Sequence, residues 1–258
     1  EAFTAVGAAV QSDRAALLAT ADVLVTVAPP DTTTLQGLKP GATIIGFLDP
    51  LGNPEGLIPI AQGGHTALSM EMVPRITRAQ SMDALSSMAT VAGYKAVLLA
   101  ANRLPRMFPL LMTAAGTVPP ARVLIVGAGV AGLQAIATAR RLGARVSAYD
   151  VRKAAGEQVL SLGASFLEVD LGGIETEDAG GYAKELSEEA LDRGRRLVAE
   201  HAAKSDVVIT TAQIPGRKAP LVLLPEAVDD MAPGAVVVDM AAGTGGNCPL
   251  TRAAEVVI

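Results

Sequence analysis

The stretch VLIVGAGVAGLQAIATARRLGARVSAYD constrains the fold of this chain more than any other feature. An apolar run leads into Gly127, Gly129 and Gly132, an alanine-rich segment follows, and a second apolar run ends at Asp150. Apolar runs on both sides of a helical pattern are typical of a strand–helix–strand unit with parallel strands. We therefore predict a strand at 122–127, a helix at 130–142 and a strand at 144–150.

The spacing Gly-x-Gly-x-x-Gly between a strand and a helix is typical of sites that bind a dinucleotide. Gly127 permits a tight turn, Gly129 lets backbone N–H groups approach a pyrophosphate, and Gly132 allows the helix to pack closely on the strand. The N-terminus of the helix adds partial positive charge for the phosphates. The alternative is that the glycines serve only the packing of an unliganded unit, and the second strand ending in a carboxylate argues against it.

Asp150 indicates which dinucleotide would bind. A carboxylate there can accept hydrogen bonds from both ribose hydroxyls of NAD. It would repel a 2′-phosphate by ~4 kcal/mol per pair of unit charges at about 4 Å and an effective dielectric constant near 20. Arg152 would favour NADP, but an arginine two residues beyond an aspartate is more often a solvated neighbour. The sequence therefore predicts NAD(H) as the cofactor.

Apolar runs alternate with helical patterns along the rest of the chain, which is typical of an α/β fold. Hydrophobic residues make up 50% of the chain and aromatic residues 3%, so the core consists of small and branched aliphatics, as in buried parallel sheets. We expect two Rossmann-like lobes with mostly parallel sheets, joined by linking helices around a cofactor cleft. The other predicted elements are strands at 22–30, 41–50 and 65–72, helices at about 80–101 and 103–114, a helix at 155–162, a strand at 165–170, a helix near 183–203, and strands at 206–211 and 235–240.

A segment with proline and glycine and the two ends of the chain predict its domain organisation. The segment GTVPPA reads as a boundary between lobes. The chain begins Glu-Ala-Phe without Met and ends on AAEVVI, which reads as a strand just beginning, so we expect that elements of the fold are missing at both ends. The predicted domains are an incomplete N-terminal α/β lobe at 1–74, a loop with linking helices at 75–115, a nucleotide-binding lobe at 116–248, and a return segment towards the first lobe at 249–258.

Charge and cysteine content exclude several functional classes. The net charge is −5 and no basic patch is present, so nucleic acid is not expected as a partner. The single cysteine, Cys248, excludes an intramolecular disulfide and fits a reducing compartment. No cluster has the spacing of metal ligands, so no metal is expected. The apolar run VAGYKAVLLAA is interrupted by Lys95 and is too short to span a bilayer.

The chain offers few groups for proton transfer. His65 lies at the start of an apolar strand, and His201 lies in a charged helix, so we assign structural or solvated roles to both. Cys248 is interpreted as a small buried residue. Dehydrogenases acting on hydroxy or amino acids normally need an acid or base beside the hydride path. Hydride transfer between two nicotinamides needs only positioning, which fits this shortage.

Five motifs together resemble one family: PRITRAQSMDALSSMATVAGYKA, TAAGTVPPARVLIVGAGVAGLQAIATARRLGA, GGYAKE, TTAQIPGRKAP and DMAAGTGGNCPL. They resemble the NAD(H)-binding component of proton-translocating nicotinamide nucleotide transhydrogenase, from about residue 20 to the C-terminus. The resemblance implies a homodimeric, two-lobed peripheral domain at the cytoplasmic face of the bacterial inner membrane. It implies hydride transfer to NADP(H) on a partner domain, coupled to proton movement through a transmembrane proton-channel domain.

The resemblance also implies roles for individual residues. Gln80 would reach towards the NADP ring, within a loop that contacts the nicotinamide and its ribose, and Tyr182 would belong to a mobile loop that closes over the nucleotide. The residues assigned to catalysis are Arg75, Gln80, Asp83 and Ser86. The residues assigned to the cofactor are Gly127, Gly129, Val130, Ala131, Gly132, Asp150, Val151, Arg152, Tyr182, Thr211, Ala212, Gln213 and Gly234.

Alternatives remain open for the loop and for the whole chain. Thr77 and Gln80 also have the spacing of a capping box, so the loop can be read as an ordinary helix entrance. Alanine dehydrogenase, a related family, resembles the chain less well, because GFLDPLG lacks the histidine that this enzyme needs. A third possibility is a non-catalytic NAD-binding module.

Overall fold

The computed structural model describes residues 2–169, 187–214 and 216–258. The chain separates into two compact units, Glu1–Leu85 and Ser86–Ile258. Each unit contains a parallel sheet with helices, which confirms the prediction of an α/β chain with parallel, Rossmann-like sheets.

The first unit is built on a three-stranded parallel sheet in the order β1-β2-β3. The central strand β2 buries Ile44 completely, and Leu35, Leu48 and Ile60 pack in the same core cluster. All three predicted strands are present but shorter than expected. The elements are α1 (Ala2–Ala5), α2 (Arg14–Thr20), β1 (Val23–Val25), α3 (Thr32–Gly37), β2 (Thr43–Gly46), α4 (Ile58–Gln62) and β3 (Thr66–Ser69), with 3-10 turns at Pro54–Leu57, Met70–Met72 and Thr77–Met82.

The second unit contains a five-stranded parallel sheet in the order β10-β9-β6-β7-β8. Its central strand β6 is apolar after its first residue because both faces are covered: Val123 and Ile125 belong to one core cluster, Leu124 and Val126 to another, and all four are at most 2% exposed. The elements of this sheet are β6 (Arg122–Val126), α6 (Val130–Arg141), β7 (Arg145–Tyr149), α7 (Ala155–Ser161), β8 (Ser165–Leu167), α8 (Glu188–Ala202), β9 (Val207–Thr210), α9 (Pro225–Asp229) and β10 (Val236–Asp239).

Two predictions are wrong, one for the segment that follows α5 and one for the last six residues of the chain. The helix α5 (Ala84–Arg103) ends before Pro105, and residues 104–121, all of which the structure describes, contain no second helix. The chain instead forms an antiparallel hairpin of β4 (Leu111–Thr113) and β5 (Gly116–Val118). Prolines at 105 and 109 lack the N–H group that a continuing helix needs, which explains the break. The terminal AAEVVI, also described throughout, forms no strand.

Among the described residues, α5 is the one helix that is long and apolar enough to cross a membrane by length and composition alone. Only 22% of its apolar window is buried. The buried residues of α5 are Gly93, Ala96, Val97 and Ala100, and three of these belong to the core cluster of the second unit. One such helix is weak evidence for a membrane span, since core helices also meet this criterion.

Candidate functional site

The turn between β6 and α6 is shaped by two glycines that no other residue could replace. Gly127 has φ +99°, and a Cβ atom there would lie 2.5 Å from Thr211 Oγ1. A Cβ atom on Gly132 would lie 1.8 Å from the Gly127 carbonyl oxygen. The first turn of α6 therefore packs directly on the backbone of the preceding turn, as the motif predicts.

Gly129 has the opposite surroundings. It is the N-cap of α6, and apart from Gly129 itself and its two chain neighbours, no atom of the described chain lies within 4 Å of a Cβ atom built there. The first N–H groups of a helix have no partner within the helix, and they carry its partial positive charge. The turn therefore leaves open space in front of anion-binding backbone groups. A dinucleotide pyrophosphate fits this arrangement.

Asp150 follows β7 and has its side chain almost completely buried, at 7% exposure. Its Oδ2 accepts hydrogen bonds from Ala128 N at 2.7 Å and from Arg152 Nη2 at 2.9 Å. Its Oδ1 accepts from Arg152 N at 2.8 Å and from Arg152 Nε at 2.9 Å. The carboxylate thus fastens the glycine-rich turn to the end of the next strand.

The prediction that Arg152 is a solvated neighbour is wrong. Its side chain is 19% exposed and forms a two-pronged ion pair with Asp150. The two residues flank a turn at the end of β7, so the guanidinium folds back onto the carboxylate. Burial, together with the negative charge of Asp150, raises the pKa of Tyr149 to about 12, so this residue stays neutral beside the pair.

The segment after β9 lies against the glycine-rich turn. Thr211 Oγ1 donates to the carbonyl oxygens of Gly127 at 3.0 Å and of Val126 at 3.3 Å. Gln213 Nε2 donates to the Met240 carbonyl oxygen at 3.2 Å. Because β9, β6 and β7 are neighbours, their carboxyl ends meet at one edge of the sheet. The predicted cofactor residues found at this edge are Gly127, Gly129, Val130, Ala131, Gly132, Asp150, Val151, Arg152, Thr211, Ala212 and Gln213.

One predicted cofactor residue, Gly234, is not part of this group, and another, Tyr182, is not described. Gly234 precedes β10 and therefore lies at the amino-terminal edge of the sheet, where a Cβ atom would be 3.1 Å from Pro105 Cγ. Tyr182 lies outside the described residues. Within the ranges that the structure describes, no group of three or more His, Cys, Asp or Glu side chains could hold a metal ion.

The residues of the predicted nicotinamide loop lie before, within and after the 3-10 turn Thr77–Met82, up to the beginning of α5. Arg75 and Gln80 are exposed, and Asp83 donates its N–H to the Gln80 carbonyl oxygen at 3.2 Å. Ser86 lies in the first turn of α5, in the second unit. The capping-box interpretation is wrong: the residue capping this 3-10 turn is Ile76, which has no side-chain hydrogen bond, and α5 begins only at Ala84.

Sequence reasoning missed Asn247 and Asp239, which organise the same edge. Asn247 is 0% exposed and makes three side-chain hydrogen bonds to backbone groups. Asp239 ends β10 and accepts from the backbone of Ala241, Asn247 and Cys248. A usable signal was present in DMAAGTGGNCPL, where polar residues follow a half-buried apolar strand. Burial raises the pKa of the Cys248 thiol, which fits the small buried residue predicted there.

Comparisons with family models and with known proteins all relate the chain to alanine dehydrogenases and transhydrogenases. Residues 1–92 match the family model Alanine dehydrogenase/PNT, N-terminal domain, and residues 96–258 match Alanine dehydrogenase/PNT, C-terminal domain. The whole chain is 48% identical to an NAD(P) transhydrogenase alpha subunit of Rhodospirillum rubrum and spans 69% of that protein. The alanine dehydrogenase of Mycolicibacterium smegmatis is 29% identical over 95% of the chain, which spans 60% of that enzyme.

A solved structure supports the same relationship. The transhydrogenase from Sinorhizobium meliloti superposes on 95% of the chain with a TM-score of 0.85 and 51% sequence identity. The chain spans 66% of that protein, so it corresponds to a portion of its length.

Proposed function

The chain belongs to the alanine dehydrogenase/PNT family, and within this family we propose that it is the NAD(H)-binding component of a proton-translocating transhydrogenase. In this proposal hydride passes directly between NADH and NADP⁺, and the NADP⁺ is held on a separate domain. The observation that carries NAD(H) binding is the open turn at Gly129, in front of the N-terminus of α6, with the Asp150 carboxylate at the end of the next strand. The choice of a transhydrogenase rests on the 48% identity to the Rhodospirillum relative.

The residues of the chain would bind and orient the cofactor. The turn from Gly127 to Gly132 and the first N–H groups of α6 would hold the pyrophosphate, and Asp150 would accept from the adenosine ribose in place of the bonds that it now accepts from the Arg152 side chain. Thr211, Ala212 and Gln213 would line the nucleotide beside this turn. The bound nicotinamide supplies or accepts the hydride.

The nicotinamide would be positioned by Arg75, Gln80, Asp83 and Ser86, with Gln80 closest to the incoming NADP ring. Tyr182 would close over the nucleotide. Because hydride transfer between two nicotinamides moves no proton to the protein, these residues have to supply position and no acid or base.

The proposed assembly has three further components. They are a second copy of this chain in a homodimer, an NADP(H)-binding domain that receives the hydride, and a transmembrane proton-channel domain. The chain would then act at the cytoplasmic face of the bacterial inner membrane. The Rhodospirillum relative is named as one subunit of a transhydrogenase, which supports the existence of partner components.

The test is an NADH titration followed by a hydride-transfer assay on the intact protein. We expect NADH to bind, and we expect hydride exchange only when an NADP-binding partner domain is added. An alanine dehydrogenase would reduce NAD⁺ with alanine and ignore the partner domain. A non-catalytic module would bind NADH and remain inactive with every partner. Either result would contradict the proposal.

A further inference from the structure

Asn247 connects three segments at the carboxyl edge of the second unit. Its Nδ2 donates to the carbonyl oxygens of Ala212 and Pro220, both at 2.8 Å. Its Oδ1 accepts from Ala212 N at 3.1 Å. Its own carbonyl oxygen accepts from the N–H groups of Val222 and Leu223 at 3.0 and 3.1 Å. One buried residue therefore fixes the segment after β9 and the segment before α9.

The side-chain amide of Asn247 supplies the hydrogen bonds that a neighbouring strand would otherwise supply to Ala212. The ladder of β9 ends at Thr210, so the backbone at Ala212 has no neighbour among the described strands. Buried backbone N–H and C=O groups need partners, and a primary amide carries both a donor and an acceptor. Both backbone groups of Ala212 are satisfied by the one amide of Asn247. An apolar side chain of similar size could fill the space and could not make these bonds.

Asn247 is itself held in place by Asp239. The Asp239 Oδ2 atom accepts from Asn247 N at 2.7 Å and from Thr251 Oγ1 at 2.7 Å. Asp239 Oδ1 accepts from Ala241 N at 2.9 Å. Since these bonds fix the backbone at Asn247, the amide has little freedom to move away from Ala212.

The segment held by Asn247 lies next to the glycine-rich turn. A Cβ atom on Gly127 would be 3.3 Å from Ala212 N and 2.5 Å from Thr211 Oγ1. Because the contact is this close, a displacement of the backbone at Ala212 would change the position of the turn that faces the pyrophosphate.

We propose that Asn247 is a positioning residue for the dinucleotide site, which holds the segment 211–213 against the glycine-rich turn without touching the nucleotide. The inference rests on the proposed function for the binding of NAD(H). Its structural component, the fixing of Ala212 by Asn247, can be measured without any nucleotide.

The experiment compares Asn247→Ala with Ser205→Ala in the intact protein. Ser205 is a matched control, because it is buried at 5% exposure and its Oγ donates to the His201 carbonyl oxygen at 2.7 Å, before the amino end of β9. Affinity for NADH is measured by fluorescence titration at a temperature at which all variants are folded. Hydrogen exchange of the Ala212 amide is measured in the absence of nucleotide.

We expect Asn247→Ala to raise the Kd for NADH about tenfold and to speed exchange at Ala212. Ser205→Ala should leave both within about twofold of the wild type, even where it lowers the melting temperature equally. If Asn247→Ala does not fold, Thr251→Val removes only the bond to Asp239, and the Kd should rise about threefold. Wild-type values in the folded Asn247 or Thr251 variant overturn the inference. A wild-type protein that fails to bind NADH refutes the proposed function and this inference with it.

Discussion

Replacing Asp150 by asparagine keeps the shape of the side chain and removes its charge. The carboxylate accepts four hydrogen bonds, three of them from Arg152, and is 7% exposed. Asparagine keeps one acceptor oxygen, so Ala128 N or Arg152 N can still be satisfied. The ion pair is lost, and Asp150 no longer neutralises the positive charge of Arg152 at the end of β7.

The expected result is a change in cofactor preference. A neutral side chain removes a repulsion against the 2′-phosphate of NADPH of up to ~4 kcal/mol per pair of unit charges, which corresponds to up to ~10³-fold in affinity. NADH loses about 1 kcal/mol because its ribose hydroxyls no longer donate to a charge, and this is about fivefold in affinity. The ratio of the two dissociation constants should therefore move towards NADPH by up to about three orders of magnitude.

The assay is a pair of fluorescence titrations, with NADH and with NADPH, on the intact protein at constant ionic strength, because salt screens exposed charges. The control is the double variant Asp150→Asn with Arg152→Ala. It removes the guanidinium as well, so it should keep the gain for NADPH that comes from the lost repulsion and lose any further gain that comes from the guanidinium. The reasoning is refuted if Asp150→Asn binds NADPH no better than the wild type does. It is also refuted if the double variant binds NADPH no better than the wild type does.

Three further predictions follow from particular contacts. Gly93→Ala should lower the melting temperature, because the new Cβ atom would lie 2.1 Å from the Ala131 carbonyl oxygen and overpacking costs about 1–3 kcal/mol. In a helix without this contact, the same substitution would increase the stability by ~0.5–1 kcal/mol. A higher melting temperature would therefore contradict the packing argument. Gln80→Asn should leave the Kd for NADH within about threefold of the wild-type value and lower the rate of hydride exchange at least about tenfold. The rate is measured by stopped-flow with the NADP-binding partner domain. An unchanged rate would exclude a positioning role for Gln80. Burial raises the pKa of Glu71, but hydrogen bonds from Ser69 and from loop N–H groups outweigh this effect and lower the pKa below its usual value. The stability that Glu71 contributes is therefore present above its unfolded-state pKa and is lost as the pH falls through the folded-state pKa. Urea unfolding between pH 7 and about pH 3 should therefore show a smaller loss of stability for Glu71→Gln than for the wild type, and equal losses would refute this assignment.

The strand–helix–strand unit from β6 to β7 was predictable because its signals are local. Apolar runs identify the two strands, the glycine spacing identifies the turn, and Asp150 follows directly at the end of the second strand. The parallel sheet followed from the same patterns, since strands buried on both faces read as near-continuous apolar runs. The roles of individual residues towards the nicotinamide came only from a resemblance, and they remain predictions.

The hairpin at 111–118 shows where sequence patterns failed. Its residues are apolar enough to continue a helix, so the periodicity was misleading, and the prolines at 105 and 109 were the signal to follow. The error at the entrance of α5 has a similar cause. A capping-box spacing is short and common, and the backbone took a 3-10 turn in its place.

The sequence by itself determined the strands β6 and β7, the helix between them and the position of the dinucleotide turn. The tertiary structure alone decided which side chains serve that turn. Asn247 and Ala212 are 35 residues apart, and Thr211 and Gly127 are 84 residues apart. The periodicity of apolar residues indicates which residues of a strand or helix are buried. Hydrogen bonds between distant segments exist only after the strands have brought their carboxyl ends to one edge, and no local pattern encodes them.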